Sequence, residues 1–117
     1  MERTGETIIL ENKTMTLKEL QREVTEWSRR NFPDGKPYQP LLGVAEEVGE
    51  LCHAHLKQDQ GIRGYDDLNK AHREKMDAIG DIVIYLADYC HRQAIDFQNC
   101  VDWTWEKVKE RKWTKEG

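Results

Sequence analysis

The sequence predicts an all-α fold, a bundle of four helices. Three observations carry that expectation. Apolar residues recur at helical spacing through most of the chain. Helix breakers are few: all three prolines fall between Pro33 and Pro40, and there are eight glycines. Only Thr7-Ile8-Ile9-Leu10 has a strand-like look. A chain of 117 residues is one domain, with room for one modest core. Residues 1–15 read as a tail or arm and residues 16–117 as the helical domain.

The first helix follows Thr16, which with Glu19 forms a capping box: the hydroxyl sits at the N-cap and the carboxylate three positions on. Leu17, Leu20, Val24 and Trp27 follow at helical spacing, and the helix is expected to end near Asn31. The segment from Asn31 to Pro40 interrupts it. A second helix runs from Pro40, tolerated in a first turn, to Gln60. Residues 61–67, glycine-containing and acidic at the end, form a loop. The third helix spans Leu68 to Arg92. The fourth runs from Phe97 to Trp113 behind Asp96 as N-cap. Connections this short imply mostly antiparallel neighbours.

Composition excludes several classes. Eighteen basic against twenty-two acidic residues leave a net charge of −4, opposite to the basic surface of a nucleic-acid binder. No run approaches the ~20 apolar residues of a membrane span. Mean hydropathy is −0.87. The first residues lack a basic stretch followed by an apolar one, so no secretory leader is expected. Cys52, Cys90 and Cys100 form no CxxC pair and read as reduced thiols of a cytoplasmic protein.

The acidic residues are arranged, not scattered. On the second helix, Leu41, Val44, Ala45, Val48, Leu51 and Cys52 make one apolar stripe. Glu47 and Glu50 lie on another side together with Gly43 and Ala54. Small residues around two carboxylates predict that something packs closely there; a solvated charged stripe is the plainer alternative. On the third helix Met76, Ile79, Ile82, Val83, Leu86, Ala87 and Cys90 form a broad apolar side, which Ala78, Ile84 and Tyr85 extend. A helix of this kind is expected to be covered nearly all round. Its narrow acidic stripe holds Glu74, Asp77, Asp81 and Asp88. Asp77 and Asp81 repel one another at i,i+4, and buried carboxylates without bases are costly. A divalent cation between the two helices resolves both problems, and four carboxylate groups suit Mg²⁺. Salt bridges to a neighbouring helix are the alternative.

These residues resemble a known family. Glu46-Glu47-Val48-Gly49-Glu50-Leu51, followed by Asp77-Ala78-Ile79-Gly80-Asp81-Ile82-Val83-Ile84-Tyr85-Leu86, is similar to the MazG-like nucleoside triphosphate pyrophosphohydrolases of the all-α NTP pyrophosphatase group. The resemblance covers about residues 17–113. It implies Mg²⁺-dependent cleavage between the α- and β-phosphates, with Mn²⁺ as a substitute metal, in the service of nucleotide pool cleaning or balancing. By position it makes Glu47, Glu50 and Asp81 metal ligands. Ala78 stands where the family usually has Glu; Asp77, one residue earlier, still reaches the same face and becomes the fourth ligand. Many members hold phosphates with a Lys and an Asn on the last helix; the matching stretch here, Trp105-Glu106-Lys107-Val108-Lys109-Glu110-Arg111, has no Asn. Glu46 and Glu74 are the candidates to orient or deprotonate the attacking water. Lys57, Arg73 and Lys107 are the candidate phosphate holders. Trp27, Tyr38 and Tyr85, with Phe32, are candidate surfaces for the base, Tyr38 as a lid. The family is usually dimeric or tetrameric, and the apolar excess of the third helix asks for the same cover, a homodimer or dimer of dimers.

Three other readings compete. Glu50-Leu-Cys-His53 and Asp88-Tyr-Cys-His91 approach the paired motifs of di-iron carboxylate bundles, but His53 is expected on a different side from Glu47. A regulatory module that binds nucleotide without turnover would explain Ala78. Zinc held by Cys52, His55, Cys90 or His91 lacks a ligand spacing.

Overall fold

The computed structural model describes residues 14–62, 64–65 and 67–112. The tail up to residue 13, with its strand-like run, and Trp113 lie outside the described residues. Four helices follow in chain order: α1 (Leu17–Asn31), α2 (Tyr38–Gln60), α3 (Leu68–Arg92) and α4 (Phe97–Val108). Among the described residues there is no strand.

Three of the helices, α1, α3 and α4, begin where a side chain satisfies free N–H groups. The Thr16 hydroxyl accepts from the Glu19 N–H at 3.0 Å, and the Glu19 carboxylate accepts from the Thr16 N–H at 2.8 Å. Asp67 and Asp96 cap α3 and α4 through their carboxylates. Helix α2 starts two residues before Pro40, with Pro37 as N-cap and no side-chain cap; just ahead of it the Gln39 N–H donates to the Lys36 carbonyl at 3.0 Å and the Gln39 side chain accepts from the Lys36 N–H at 2.8 Å. It stops at Gly61, whose φ of 66° is left-handed and suits glycine. Helix α4 ends at Val108, short of Trp113. Beyond it the 3₁₀-type bond from the Arg111 N–H to the Val108 carbonyl closes the last turn.

The helices α2 and α3 form the main interface, α1 packs on α3, and among the described residues α4 touches only α1 and α3. Val24, Ala87, Cys90 and Phe97 form one buried cluster, flanked by Leu17, Leu20, Val83 and Leu86. Ala54, Tyr65 and Ala71 form a second at the far end of the α2–α3 pair. Gln21 ties the α3–α4 turn to α1: its amide donates to the Ile95 carbonyl at 2.7 Å and accepts from the Phe97 N–H at 2.9 Å.

This core is thin. The largest wholly buried side chain among the described residues is Ser28. The apolar stripe of α2 is only partly covered: Val44 and Leu51 are half-buried, but Leu41 and Val48 are 46% and 44% exposed. Helix α3 was expected to be covered nearly all round, yet Met76 and Ile79 are 58% and 52% exposed. The reason is length: Met76 and Ile79 share the face of Val83 and Leu86, which pack beside Val24 of α1, but α1 has 15 residues against the 25 of α3 and leaves the earlier part of that face bare.

Candidate functional site

The α2–α3 register builds the site. Two contacts fix it. Gly43 lies against the Tyr85 ring so closely that a Cβ there would stand 2.6 Å from it. At the other end Ala54 meets Ala71. The helices are therefore antiparallel, and residues between these anchors face one another in reverse order. Glu47 comes opposite Asp81, and Glu50 opposite Asp77. The stripe of α2 that turns inward is Gly43, Glu47, Glu50 and Ala54, the small-and-acidic one. Small residues at its two ends let the backbones approach while the carboxylates occupy the middle.

The electrostatics register the crowding. Burial, and after it the charges of Asp81, Glu50, Glu46 and Asp77, hold the Glu47 carboxyl above its ordinary pKa. A recess of about 430 Å³ opens here, lined by Glu47, Glu50, His53, Tyr65, Glu74, Asp77 and Ala78. Hard carboxylate oxygens in a shared negative field fit a divalent cation in donor chemistry. As the side chains stand, no group of three or more His, Cys, Asp or Glu among the described residues is arranged to hold a metal ion. Glu50, Asp77 and Asp81 are exposed, so their rotamers are unconstrained by packing.

A larger cleft of about 1010 Å³ adjoins the acidic stripe. Its floor is the continuation of α3: Asp81, Tyr85, Asp88 and Arg92, at spacings that keep one helical face. Its walls come from α1 (Leu20, Glu23, Val24, Glu26, Trp27 and Arg30) and from the start of α2 (Gln39 and Pro40). Phe32 closes one end and packs edge-on to Trp27, with ring centroids 5.6 Å apart. Asp81 thus borders both the carboxylate cluster and an aromatic cleft.

Compared with family models, with curated proteins and with solved structures, the chain matches none.

Several candidates from the sequence fall elsewhere. Glu46 is exposed on α2 and does not line the recess. Glu74 lines it but is already engaged. The Tyr65 hydroxyl donates to one of its oxygens, and Lys70 pairs with the other at 2.9 Å while lying over the Tyr65 ring. These bonds, the tyrosine's first, hold the Glu74 carboxyl below its usual range, which disfavours it as a proton acceptor. Tyr38 is exposed at the first turn of α2 and lines neither space. Lys57 reaches Gln60 at 3.4 Å, Arg73 is exposed, and Lys107 sits 3.4 Å over the Trp103 ring on α4; none lines the recess or the cleft. Trp27 and Tyr85 both line the cleft.

Two further residues line the recess. His53, weighed in the sequence only for a di-iron motif and expected on a different side from Glu47, borders it with its ring edge-on to Tyr65 at 6.1 Å. Tyr65 is a buried aromatic in a loop that has glycines at 61 and 64. A lone aromatic in such a polar loop was the available signal.

Proposed function

We propose that the chain is a Mg²⁺-dependent nucleoside triphosphate pyrophosphohydrolase of the MazG-like type, releasing a nucleoside monophosphate and pyrophosphate. One observation carries the reading: the antiparallel register faces Glu47 and Glu50 with Asp81 and Asp77, and Asp81 also borders an aromatic cleft with ample room for a nucleoside. The carboxylates would hold the metal, and the cleft would hold the nucleoside between Trp27 and Tyr85.

When bound, Mg²⁺ (or Mn²⁺) neutralises phosphate oxygens and stabilises the charge that develops in the transition state. Glu47, Glu50, Asp77 and Asp81 supply the oxygen ligands. Their mutual repulsion makes the empty site costly, so a cation is drawn to it. Trp27 and Tyr85 orient the base, which fixes the distance from the α-phosphate to the acidic stripe. Glu46 lies outside the recess and Glu74 is engaged by Tyr65 and Lys70, so neither is assigned the proton of the attacking water. The active chain would be a homodimer or dimer of dimers, and its free thiols suit the cytoplasm.

A second reading has its own observation. Ala78 is buried in the wall of the recess, where the resemblance would place a Glu, so the ligand set there is one carboxylate different. A nucleotide-binding regulatory module with little turnover would tolerate that.

The test is pyrophosphate release from a panel of canonical and modified ribo- and deoxyribonucleoside triphosphates with Mg²⁺. Glu50→Gln runs beside the wild type. Release that falls by roughly a hundredfold or more in the variant, the scale of losing one transition-state charge contact, supports the enzyme. Binding by calorimetry without release from any substrate moves the reading to the regulatory module. Neither binding nor release removes both.

A further inference from the structure

We propose that Arg92 is a positioning residue for the nucleoside end of the site: it fixes the segment between α1 and α2, and through it the aromatic wall of the cleft. The inference rests on reading the cleft as the nucleoside subsite.

Arg92 is the last residue of α3 and continues the stripe that carries Asp81, Tyr85 and Asp88. Its Nε donates to Asp88 Oδ1 at 3.1 Å, and both side chains are only 11% exposed. Its Nη1 donates to the Gly35 carbonyl at 2.7 Å. Its Nη2 donates to the Ser28 hydroxyl at 2.6 Å and to the Phe32 carbonyl at 3.2 Å. One guanidinium thereby joins α1, α3 and the linker. Ser28 is wholly buried, so its hydroxyl needs this partner.

The linker depends on it. Residues 32–37 belong to no helix, and two of their carbonyls end on Arg92. The approach is close enough that a Cβ on Gly35 would meet the guanidinium at 2.7 Å. Phe32, held by its carbonyl, sets its ring against Trp27. Gln39 and Pro40, just after the linker, form the opposite lip of the cleft.

Arg92 lines the cleft, and an arginine facing a triphosphate site invites a phosphate role. Its bonds argue otherwise. Four hydrogen bonds to protein acceptors use most of a guanidinium's five N–H donors, and Asp88 balances its charge. Lysine keeps the charge but cannot reproduce the planar fork.

The experiment compares wild type with Arg92→Lys, and with Gly35→Ala, whose added Cβ pushes on the same guanidinium from the linker. It reads KM and kcat for the best triphosphate substrate, and the inhibition constant of inorganic tripolyphosphate, which has no base. The expected result for both variants is a KM raised about tenfold, kcat within about twofold, and tripolyphosphate inhibition unchanged. Gly35→Ala carries the test alone should Arg92→Lys not fold. An unchanged KM in a folded variant, with only a lower Tm, overturns the proposal and leaves Arg92 structural. A parallel loss of triphosphate and tripolyphosphate affinity also overturns it, in favour of a phosphate contact. Absence of pyrophosphate release in the wild type is a different failure: it removes the pyrophosphohydrolase reading, and this inference with it.

Discussion

Two glutamates a helix apart show how much environment decides at the residue scale. Glu47 sits among like charges and is pushed up in pKa; Glu74, in the same recess, is held down by donors. The first has reason to take a cation, the second to form a clasp. That clasp has a defined pH window. The Glu74 pKa is lowered on folding, so its contribution is present above the ordinary glutamate value and is lost as pH falls through the folded one. Tyr65 and Lys70 are shifted up, each chiefly by its hydrogen bond to Glu74, so their contribution is present at neutral pH and lost as pH rises through their folded values. Tyr65→Phe should therefore lower Tm by a few degrees near pH 7. The gap from wild type should close below about pH 4 and again above about pH 10. Melting curves across pH check this; a gap of constant size would mean that Tyr65 contributes packing alone.

At the scale of elements, the α2–α3 spacing is what a site between two helices depends on. Gly43→Ala tests it. Alanine favours a helix interior by about 1 kcal/mol, but its Cβ would overlap the Tyr85 ring, and overpacking costs about 1–3 kcal/mol. The net expectation is a loss of about 1 kcal/mol in urea unfolding, with a fall in pyrophosphate release as Glu47 and Glu50 move off Asp81 and Asp77. Retained activity with raised stability would show that Tyr85 swings aside and that the spacing is not critical. The elements themselves were legible: the Thr16–Glu19 box, the Pro33–Pro40 interruption and the Asp96 cap are local signals, and α1 and α3 have the bounds read from sequence. The inward turn of Gly43, Glu47, Glu50 and Ala54 was legible from residue size. The engagement of Glu74 was not, because it comes from a tyrosine in a loop nine positions away. Nor was the role of Arg92, whose partners outside α3 lie 57 to 64 positions earlier. Periodicity and propensity describe what a residue does for its own helix and are silent on such bonds.

At the scale of the whole molecule, the single chain leaves its apolar faces unfinished. Leu41, Val48, Met76 and Ile79 are exposed on the two longest helices, and among the described residues no large side chain is wholly buried. Two helix-interior glycines on these faces strengthen the point. A Cβ on Gly49 or Gly80 would meet nothing within 4 Å, so no contact among the described residues explains a residue that costs about 0.5–1 kcal/mol against alanine. A second copy lying across α2 and α3 would explain both the glycines and the exposed aliphatics, since small residues let helices approach. Such a contact between identical faces closes on itself as a dimer, and a standard stable interface buries about 1,600 Å² in total. The wild-type chain is thus expected to sediment as a dimer or tetramer, with a Tm that rises with protein concentration. Ile79→Lys places a charge on that face and touches none of the proposed ligands. It should give a monomer whose Tm is lower and independent of concentration. A wild type that sediments as a monomer at high micromolar concentration, with the same Tm as Ile79→Lys, would mean that these faces are simply solvated and that the site between α2 and α3 is complete in one chain.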